Sequence, residues 1–303
     1  MTVIKFMKRL SVPVGKSRNA MIVYRRLFGF LVATVAVAGL VAASVGDSSV
    51  AASAGGGWDE PDGTCSGGSI ASGVYENLKI AGNCKVDAGS VRVEHNLTVL
   101  SGGTLIAAFG GSETMPVGSD LRVGGNLDVK LNGILVLGCE PINYICLNDP
   151  DQKVGSYSTR DRVDGNLRAE NALSVLVHLT VIGHDVSLNG GGGGVSCASS
   201  LPALGGFPPY GDLEDDIIGG DLTITGWQSC WLGFFRDAIA RHVAFNNNVT
   251  ADPDGNEMGT NSIGDNLSCT GNTPSPQVGD SGGSLNNVFG HANGQCDNPM
   301  LIR

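Results

Sequence analysis

The sequence of 303 residues predicts an all-β fold, a right-handed parallel β-helix of about nine or ten rungs preceded by a signal peptide. Three observations predict it: a short motif that occurs nine times, an alternation of apolar and polar residues around each copy, and a separation near 20 residues that recurs between copies. A β-solenoid needs such a period because one rung cannot bury its apolar face alone and has to stack on the next.

Each copy of the motif begins with Val or Ile and carries Asn, Asp or His three residues later, at a position called the slot from here on. Asn, Asp and His are the non-glycine residues most often found in the left-handed region, and Gly precedes the slot in four copies, so we expect the slot to be a left-handed corner. The slot residues are Asn77, Asn96, Asn126, Asn166, Asp185, Asp221, His242, Asn266 and His291.

The apolar residues that flank a slot alternate with polar ones, as in Asn96, Leu97, Thr98 and Val99, which predicts short strands with one buried face. The slots are separated by 19, 30, 40, 19, 36, 21, 24 and 25 residues, so the longer intervals leave room for loops. We expect such loops at 139–160, at 190–214 and near the end of the chain at 272–287. A β-sandwich or another all-β fold is the alternative.

The N-terminal segment is predicted to be a secretory signal peptide, residues 1–54. Seven Lys and Arg residues precede an uncharged apolar run from Leu27 to Val45, and the small residues Ala52, Ser53 and Ala54 follow it. An uncleaved membrane anchor is the alternative, since 19 apolar residues can span a bilayer. The start of the chain, Met1 or Met21, and the cleavage of the segment stay open. Residues 55–303 are predicted to form a single disulfide-stabilised solenoid domain.

Removal of residues 1–54 leaves 12 Lys and Arg against 28 Asp and Glu, a net charge near −16. This acidity excludes nucleic acid as an expected partner, and no membrane insertion is expected after the signal is cleaved. The eight cysteines all follow the signal, and an even number in an exported chain predicts four disulfides and a secreted or cell-surface location. Cysteines close in sequence are also close in a solenoid, so we predict the pairs Cys65–Cys84, Cys139–Cys146, Cys197–Cys230 and Cys269–Cys296.

The chain resembles a group of exported, mostly actinobacterial, proteins built from Val-x-Gly-Asn-Leu-x-Val rungs. The most specific part of the resemblance is the ending, where Gly264-Asp265-Asn266-Leu267-Ser268-Cys269 is followed by Thr270-Gly271-Asn272 and later by Gly294-Gln295-Cys296. The resemblance covers most of the mature chain and implies export, a right-handed β-helix and disulfides. It implies no reaction.

No linear catalytic motif is present, so we predict no catalytic residue, no cofactor and no metal site. The acidic pair Asp215 and Asp216 is interpreted as part of a solvated loop, and the five histidines are scattered along the chain. Close together in sequence stand Trp227, Trp231, Phe234 and Phe235, which either form a platform for a sugar ring or a partner, or pack an insertion against the solenoid.

We therefore expect an exported, non-catalytic structural or binding module at the cell surface or wall, with a wall glycan or a surface protein as its partner. The alternative is a polysaccharide lyase or hydrolase whose carboxylates come from neighbouring rungs and so form no linear motif. A third hypothesis is a bactofilin-like polymer that assembles through the ends of the solenoid.

Overall fold

The computed structural model describes residues 62–86, 89–108, 110–112, 115–117, 119–138, 161–281 and 283–303. In this part the chain is all-β and winds through three parallel sheets, which is the predicted parallel β-helix. The predicted signal peptide and the predicted loop at 139–160, with Cys139 and Cys146, lie outside the described residues. Among the described residues, no helix combines the length and the apolar character needed to cross a bilayer.

Each coil passes in turn through a strand of sheet III, a strand of sheet I and a strand of sheet II. Sheet I consists of ten strands, Gly63–Cys65, Leu78–Ile80, Leu97–Val99, Leu127–Val129, Leu167–Glu170, Val186–Asn189, Leu222–Thr225, Val243–Asn246, Leu267–Thr270 and Ala292–Gly294. Sheet II consists of eight strands, Gly68–Ser69, Asn83–Lys85, Thr104–Ala108, Ile134–Gly138, Ser174–His178, Gly211–Glu214, Leu232–Phe235 and Glu257–Gly259. Sheet III consists of nine strands, Gly73–Tyr75, Gly89–Val93, Ser119–Val123, Arg162–Val163, Val181–Ile182, Ile217–Ile218, Ala238–Ile239, Ser262–Ile263 and Asn287–Val288.

Three smaller elements interrupt the coils. A hairpin of Gly110–Ser112 and Met115–Val117 leaves the corner between sheets II and III. A two-stranded ribbon pairs Gln228–Ser229 with Val249–Thr250 at the corner between sheets I and II. A short 3-10 helix, Pro202–Leu204, lies in the predicted loop that starts at Gly190. That loop ends before Gly211 rather than at Glu214, because Gly211–Glu214 pairs into sheet II.

The core consists of stacked columns of identical or similar apolar side chains. Leu97, Leu127 and Leu167 are in register on successive strands of sheet I, and all three are fully buried. Each such side chain contributes about 1.5–3 kcal/mol when it leaves water, so a few columns of ten rungs carry most of the stability.

The slot is a corner, but it is not the left-handed corner that the sequence predicts. None of the nine slot residues is among the described residues with a positive φ. The left-handed positions recur instead at the other two corners, with Gly102, Asn132, Asn171, Gly190, Gly226, Asn247 and Gly271 between sheets I and II, and Gly138, Leu179, Asp215, Arg236 and Thr260 between sheets II and III. Only Gly and Asn, the residues that adopt this conformation at least cost, occur at the corner between sheets I and II, whereas Leu, Asp, Arg and Thr adopt it at the corner between sheets II and III.

A continuous hydrogen-bond ladder explains why the slot accepts only Asn, Asp and His. The Asn96 side-chain Oδ1 accepts the backbone N–H of Asn126 at 2.9 Å, and the Asn126 Oδ1 accepts the N–H of Asn166 at 2.9 Å. His242 continues the ladder because its Nδ1 accepts the N–H of Asn266 at 3.3 Å. Each slot residue therefore supplies a short side-chain acceptor to the next rung, and the left-handed preference of Asn, Asp and His is not what selects them.

Glycine precedes the slot for a reason other than a bend. A Cβ on Gly220 would lie 2.1 Å from the Oδ1 of Asp185, the slot residue of the rung before. The close approach of the preceding rung thus leaves no room for a side chain at Gly220 itself, although Glu76, His95, His184, Arg241 and Asp265 occupy the equivalent position in other rungs.

Three disulfides join neighbouring rungs, Cys65–Cys84, Cys197–Cys230 and Cys269–Cys296. They are the nearest-neighbour pairs that the sequence predicts, and the fourth pair lies outside the described residues. Structural disulfides persist only where the compartment is oxidising, so they indicate an extracytoplasmic protein.

Candidate functional site

The corner between sheets II and III brings together charged side chains that are far apart in sequence. His178 and Glu214 end neighbouring strands of sheet II and are in register. Asp215 and Arg236 come directly after such strands and both adopt the left-handed conformation, with φ of 56° and 58°. The turn of the backbone at these two residues places their side chains beside His178 and Glu214.

The four side chains form one hydrogen-bonded ion cluster. The His178 Nε2 lies 2.8 Å from the Asp215 Oδ2 and 3.6 Å from the Glu214 Oε2. The Arg236 guanidinium donates through Nε to both oxygens of Asp215 at 3.0 Å and through Nη2 to the Glu214 Oε2 at 2.8 Å. Charge-assisted bonds of this kind are the strong ones in proteins.

The cluster is largely withdrawn from solvent. The side chains of His178 and Asp215 are 4% and 6% exposed, and that of Arg236 is 19% exposed. Burial would raise the pKa of the Asp215 carboxyl, but the hydrogen bonds from His178 and Arg236 outweigh it and hold the pKa below its ordinary value. Asp215 is therefore ionised and already paired.

The donor atoms of His178, Glu214 and Asp215 lie within 4.8 Å of one another, a spacing that a metal ion could use. The guanidinium of Arg236 already pairs with both carboxylates, so we interpret the group as a closed ion cluster with an internal cation. The expectation that no metal is bound stays a prediction.

The adjacent acids Asp215 and Asp216 do not act on one face of the molecule. Asp215 belongs to the ion cluster, whereas Asp216 is 1% exposed and its Oδ1 accepts the backbone N–H of Thr180 at 2.7 Å. The interpretation of this pair as part of a solvated loop is wrong, because both residues form the corner between two sheets.

The aromatic residues do not form the exposed platform considered above. Trp227, Phe234 and Phe235 are completely buried, because the segment is a rung of the solenoid rather than an insertion. Only Trp231 remains partly exposed; its ring stacks on Phe235 with centroids 6.0 Å apart, and its Nε1 donates to the Glu257 Oε1 at 3.2 Å. Ligand binding at Trp231 itself stays a prediction.

Glu257 is a buried carboxyl on the outer face of sheet II. Burial beneath the segment that contains Ser281 raises its pKa to about 7, although the backbone N–H of Ser281 and the Trp231 indole donate to it. The position is closed to solvent, since Glu257 is 1% exposed.

The outer face of sheet I has the opposite character. From the strand Val186–Asn189 to the strand Leu267–Thr270, its outward positions are small or amide side chains without a charge, and they are half-exposed or exposed. They form two columns in register, Ser187, Thr223, Ala244 and Ser268 in one and Asn189, Thr225, Asn246 and Thr270 in the other.

Sequence reasoning missed His178, Glu214 and Arg236 because they belong to no linear motif. A usable signal exists: His178 and Glu214 each stand seven residues before a slot, at Asp185 and Asp221. Alignment on the slots would have placed them one above the other. Comparison of the chain with protein-family models, with curated proteins and with solved structures finds no match.

Proposed function

We propose that this protein is an exported, non-catalytic β-solenoid that binds a neutral polysaccharide of the cell wall or cell surface through the outer face of sheet I. The observation that carries the proposal is the uncharged double column from Ser187 to Thr270 on a chain whose net charge is −10. A patch that lacks charge in an acidic protein fits a partner that also lacks charge.

The side chains of the double column suit a polymer rich in hydroxyl groups. Ser, Thr and Asn each offer both a donor and an acceptor, and neighbouring rungs repeat them about every 4.8 Å along the solenoid. A flat array of this kind presents many weak hydrogen bonds to an extended chain. Polar contacts of this kind are worth only about 1 kcal/mol each, so binding depends on several rungs acting together.

Co-sedimentation with insoluble neutral polysaccharides and with cell-wall preparations tests the proposal. The test variant is Thr223→Glu with Ser268→Glu, which places two charges in the uncharged column; we expect pelleting of the unmodified protein and at least a tenfold loss for the variant. Thr98→Glu is the matched control, because it lies on the same face between the charged residues Lys79 and Asp128. Equal pelleting of both variants, or no pelleting of the unmodified protein, would contradict the proposal.

A carbohydrate-active enzyme is the second candidate, and one observation favours it. Two carboxylates of one rung, Glu214 and Asp215, meet the His178 imidazole of the neighbouring rung, and such a set of acid and base groups could serve a hydrolase. Against this candidate stands Arg236, because it pairs with both carboxylates of this cluster.

Assays for new reducing ends and for unsaturated uronates on acidic and neutral polysaccharides decide between the candidates. An enzyme would show turnover that Glu214→Gln abolishes and that Trp231→Ala weakens. A binding module would pellet with a polysaccharide and release no product from it.

A further inference from the structure

The corner between sheets II and III contains a buried ladder in which the same position recurs in successive rungs, five residues before each slot. The Asp216 Oδ1 accepts the N–H of Thr180 at 2.7 Å, and the Asp237 Oδ1 accepts the N–H of Asp216 at 2.9 Å. The ladder continues when the Asn261 Oδ1 accepts the N–H of Asp237 at 2.9 Å and the Asn286 Oδ1 accepts the N–H of Asn261 at 3.2 Å. Each of these four residues thus supplies one side-chain acceptor to the backbone of the preceding rung.

The two asparagines show that the position also needs a donor. The Asn261 Nδ2 donates to the backbone carbonyl of Phe234 at 3.0 Å and to the Asn286 Oδ1 at 2.9 Å. The Asn286 Nδ2 donates in the same way to the carbonyl of Met258 at 3.2 Å. Phe234 and Met258 are in register on neighbouring strands, so the same contact repeats from rung to rung.

In Asp216 and Asp237, the carboxyl oxygen Oδ2 stands where asparagine has its donor nitrogen Nδ2. Both residues are 1% exposed, and the Oδ2 of each has no hydrogen-bond partner among the described residues. By strand register, the backbone carbonyl equivalent to that of Phe234 beside Asn261 belongs to Leu213 for Asp237 and to Val177 for Asp216. An ionised carboxylate has no hydrogen to donate there, whereas a carboxylic acid has one.

We propose that Asp216 and Asp237 are held as neutral carboxylic acids that take the place of asparagine in the ladder, and that their protons lock the corner between sheets II and III. Loss of either proton would bury a charge beside backbone carbonyls, which is among the most expensive arrangements in a folded protein. The two protonated carboxyls therefore stabilise the corner at low pH, and this stabilisation decreases as the pH rises.

The charged groups around the pair favour the neutral form. Burial is the main cause that raises the pKa of both carboxyls. Repulsion from Glu214 and Asp215 raises both pKa values further, and Asp237 raises that of Asp216, whereas the backbone N–H that each carboxyl accepts lowers its pKa. Arg236 is the nearest cation and lowers the pKa of Asp237, but its guanidinium is bound to Glu214 and Asp215. His178 is likewise bound to Asp215.

The sign of the pH effect follows from the raised pKa values. Between the pKa of an unfolded Asp and the higher folded pKa, the native state binds more protons than the unfolded state, so stability falls as the pH rises. The stabilisation by the two protons is complete below about pH 4 and is lost through the folded pKa. Asparagine at both positions would remove this dependence.

Thermal unfolding of Asp216→Asn with Asp237→Asn at about pH 4 and about pH 8 tests the proposal. We expect nearly equal Tm values for the variant and the unmodified protein at the lower pH, and a Tm several degrees higher for the variant at the higher pH. Asp221→Asn is the matched control, because Asp221 is a slot residue whose Oδ1 accepts the N–H of His242 on the exposed ladder, and we expect no pH-dependent difference.

Two further measurements keep the proposal falsifiable if the double variant folds poorly. Asn261→Asp adds a third acid to the ladder and should lower the Tm at about pH 8 while leaving it nearly unchanged at about pH 4. The infrared spectrum of the unmodified protein at neutral pH should contain a protonated-carboxyl band that decreases when Asp216 or Asp237 alone is replaced by Asn. A Tm difference that is independent of pH, or an infrared spectrum without that band, would overturn the proposal.

Discussion

At the scale of single residues, the ladders decide which polar residue each corner tolerates. The slot needs a short side chain with an acceptor, which is why His242 can replace Asn. The corner between sheets I and II is more demanding, because Asn248 there is fully buried: its Oδ1 accepts the N–H of Trp227 at 3.0 Å and its Nδ2 donates to the carbonyl of Ile224 at 3.1 Å. The cost of losing a ladder bond should therefore depend on the corner.

Asn248→Ala is expected to lower the free energy of unfolding by about 2 kcal/mol, since the Trp227 N–H would be buried without a partner. Asn96→Ala should cost only about 0.5 kcal/mol, because water can reach the exposed slot ladder. Urea unfolding of both variants measures the difference. Equal losses would mean that burial does not determine the value of a ladder bond.

Asn132 offers a test of the left-handed corner, since it is exposed and has a φ of 58°. Asn132→Val should cost about 1–2 kcal/mol because a β-branched side chain is strained in this conformation, whereas Asn132→Gly should be nearly neutral. Chemical denaturation compares the two. A valine that is tolerated as well as glycine would show that the backbone at this corner can relax.

At the scale of elements, the loop from Gly190 to Tyr210 forms a second apolar layer on the outer face of sheet II. Leu204 and Tyr210 of the loop are buried against Val136 and Leu176 of the sheet. The Cys197–Cys230 disulfide fastens this loop to the rung beneath it. The disulfide is therefore expected to hold a cover in place rather than to join strands of the core.

Cys197→Ser with Cys230→Ser should make the loop accessible to protease between residues 195 and 210 and should cost about 4 kcal/mol in the chain-entropy model, for a separation of 33 residues. Limited proteolysis with mass spectrometry locates the cuts. Cys269→Ser with Cys296→Ser is the control, because that disulfide closes the C-terminal rungs and its loss should leave the loop protected. Protection of the loop in the first variant would contradict this role.

At the scale of the whole molecule, buried carboxyls set an unusual pH dependence. Burial is the main cause that raises the pKa of Asp161 and of Glu257, each to about 7, and burial also raises those of Asp216 and Asp237. These groups stabilise the fold at low pH and lose that contribution as the pH rises through their folded pKa values. Asp215 acts in the opposite sense, because its lowered pKa gives a contribution that is lost as the pH falls below about 4.

We therefore expect stability to be greatest in mild acid and to fall on both sides. Burial raises the pKa of the Asp161 carboxyl to about 7, and this change alone corresponds to a loss on the order of 4 kcal/mol between about pH 4 and pH 8. Urea unfolding at intervals across this range measures the curve. A stability that rises steadily up to pH 8 would show that these carboxyls are ionised in the native state at little cost.

Part of the candidate site was predictable from the sequence and part was not. Positions counted from the slots place His178 above Glu214 and Asp216 above Asp237, so the columns of the corner are readable once the rungs are aligned. The sequence does not show which of the adjacent residues Asp215 and Asp216 points into the corner. Their environments differ because Asp215 adopts the left-handed conformation, and the linear sequence does not reveal that conformation. The sequence left open whether Trp227 and Phe234 are buried or exposed, because the answer depends on whether the segment is a rung of the solenoid.

The sequence by itself determined the solenoid, the positions of its rungs and its disulfide pairing among the described cysteines. These could be predicted because stacked rungs need the same residue types at equivalent positions, and the pattern therefore repeats along the chain. Only the tertiary structure decided which corners contain left-handed residues, which acids are buried and which charges meet. These depend on how strands separated by 21 to 36 residues align across a corner, and loops of unequal length hide that alignment from the linear sequence.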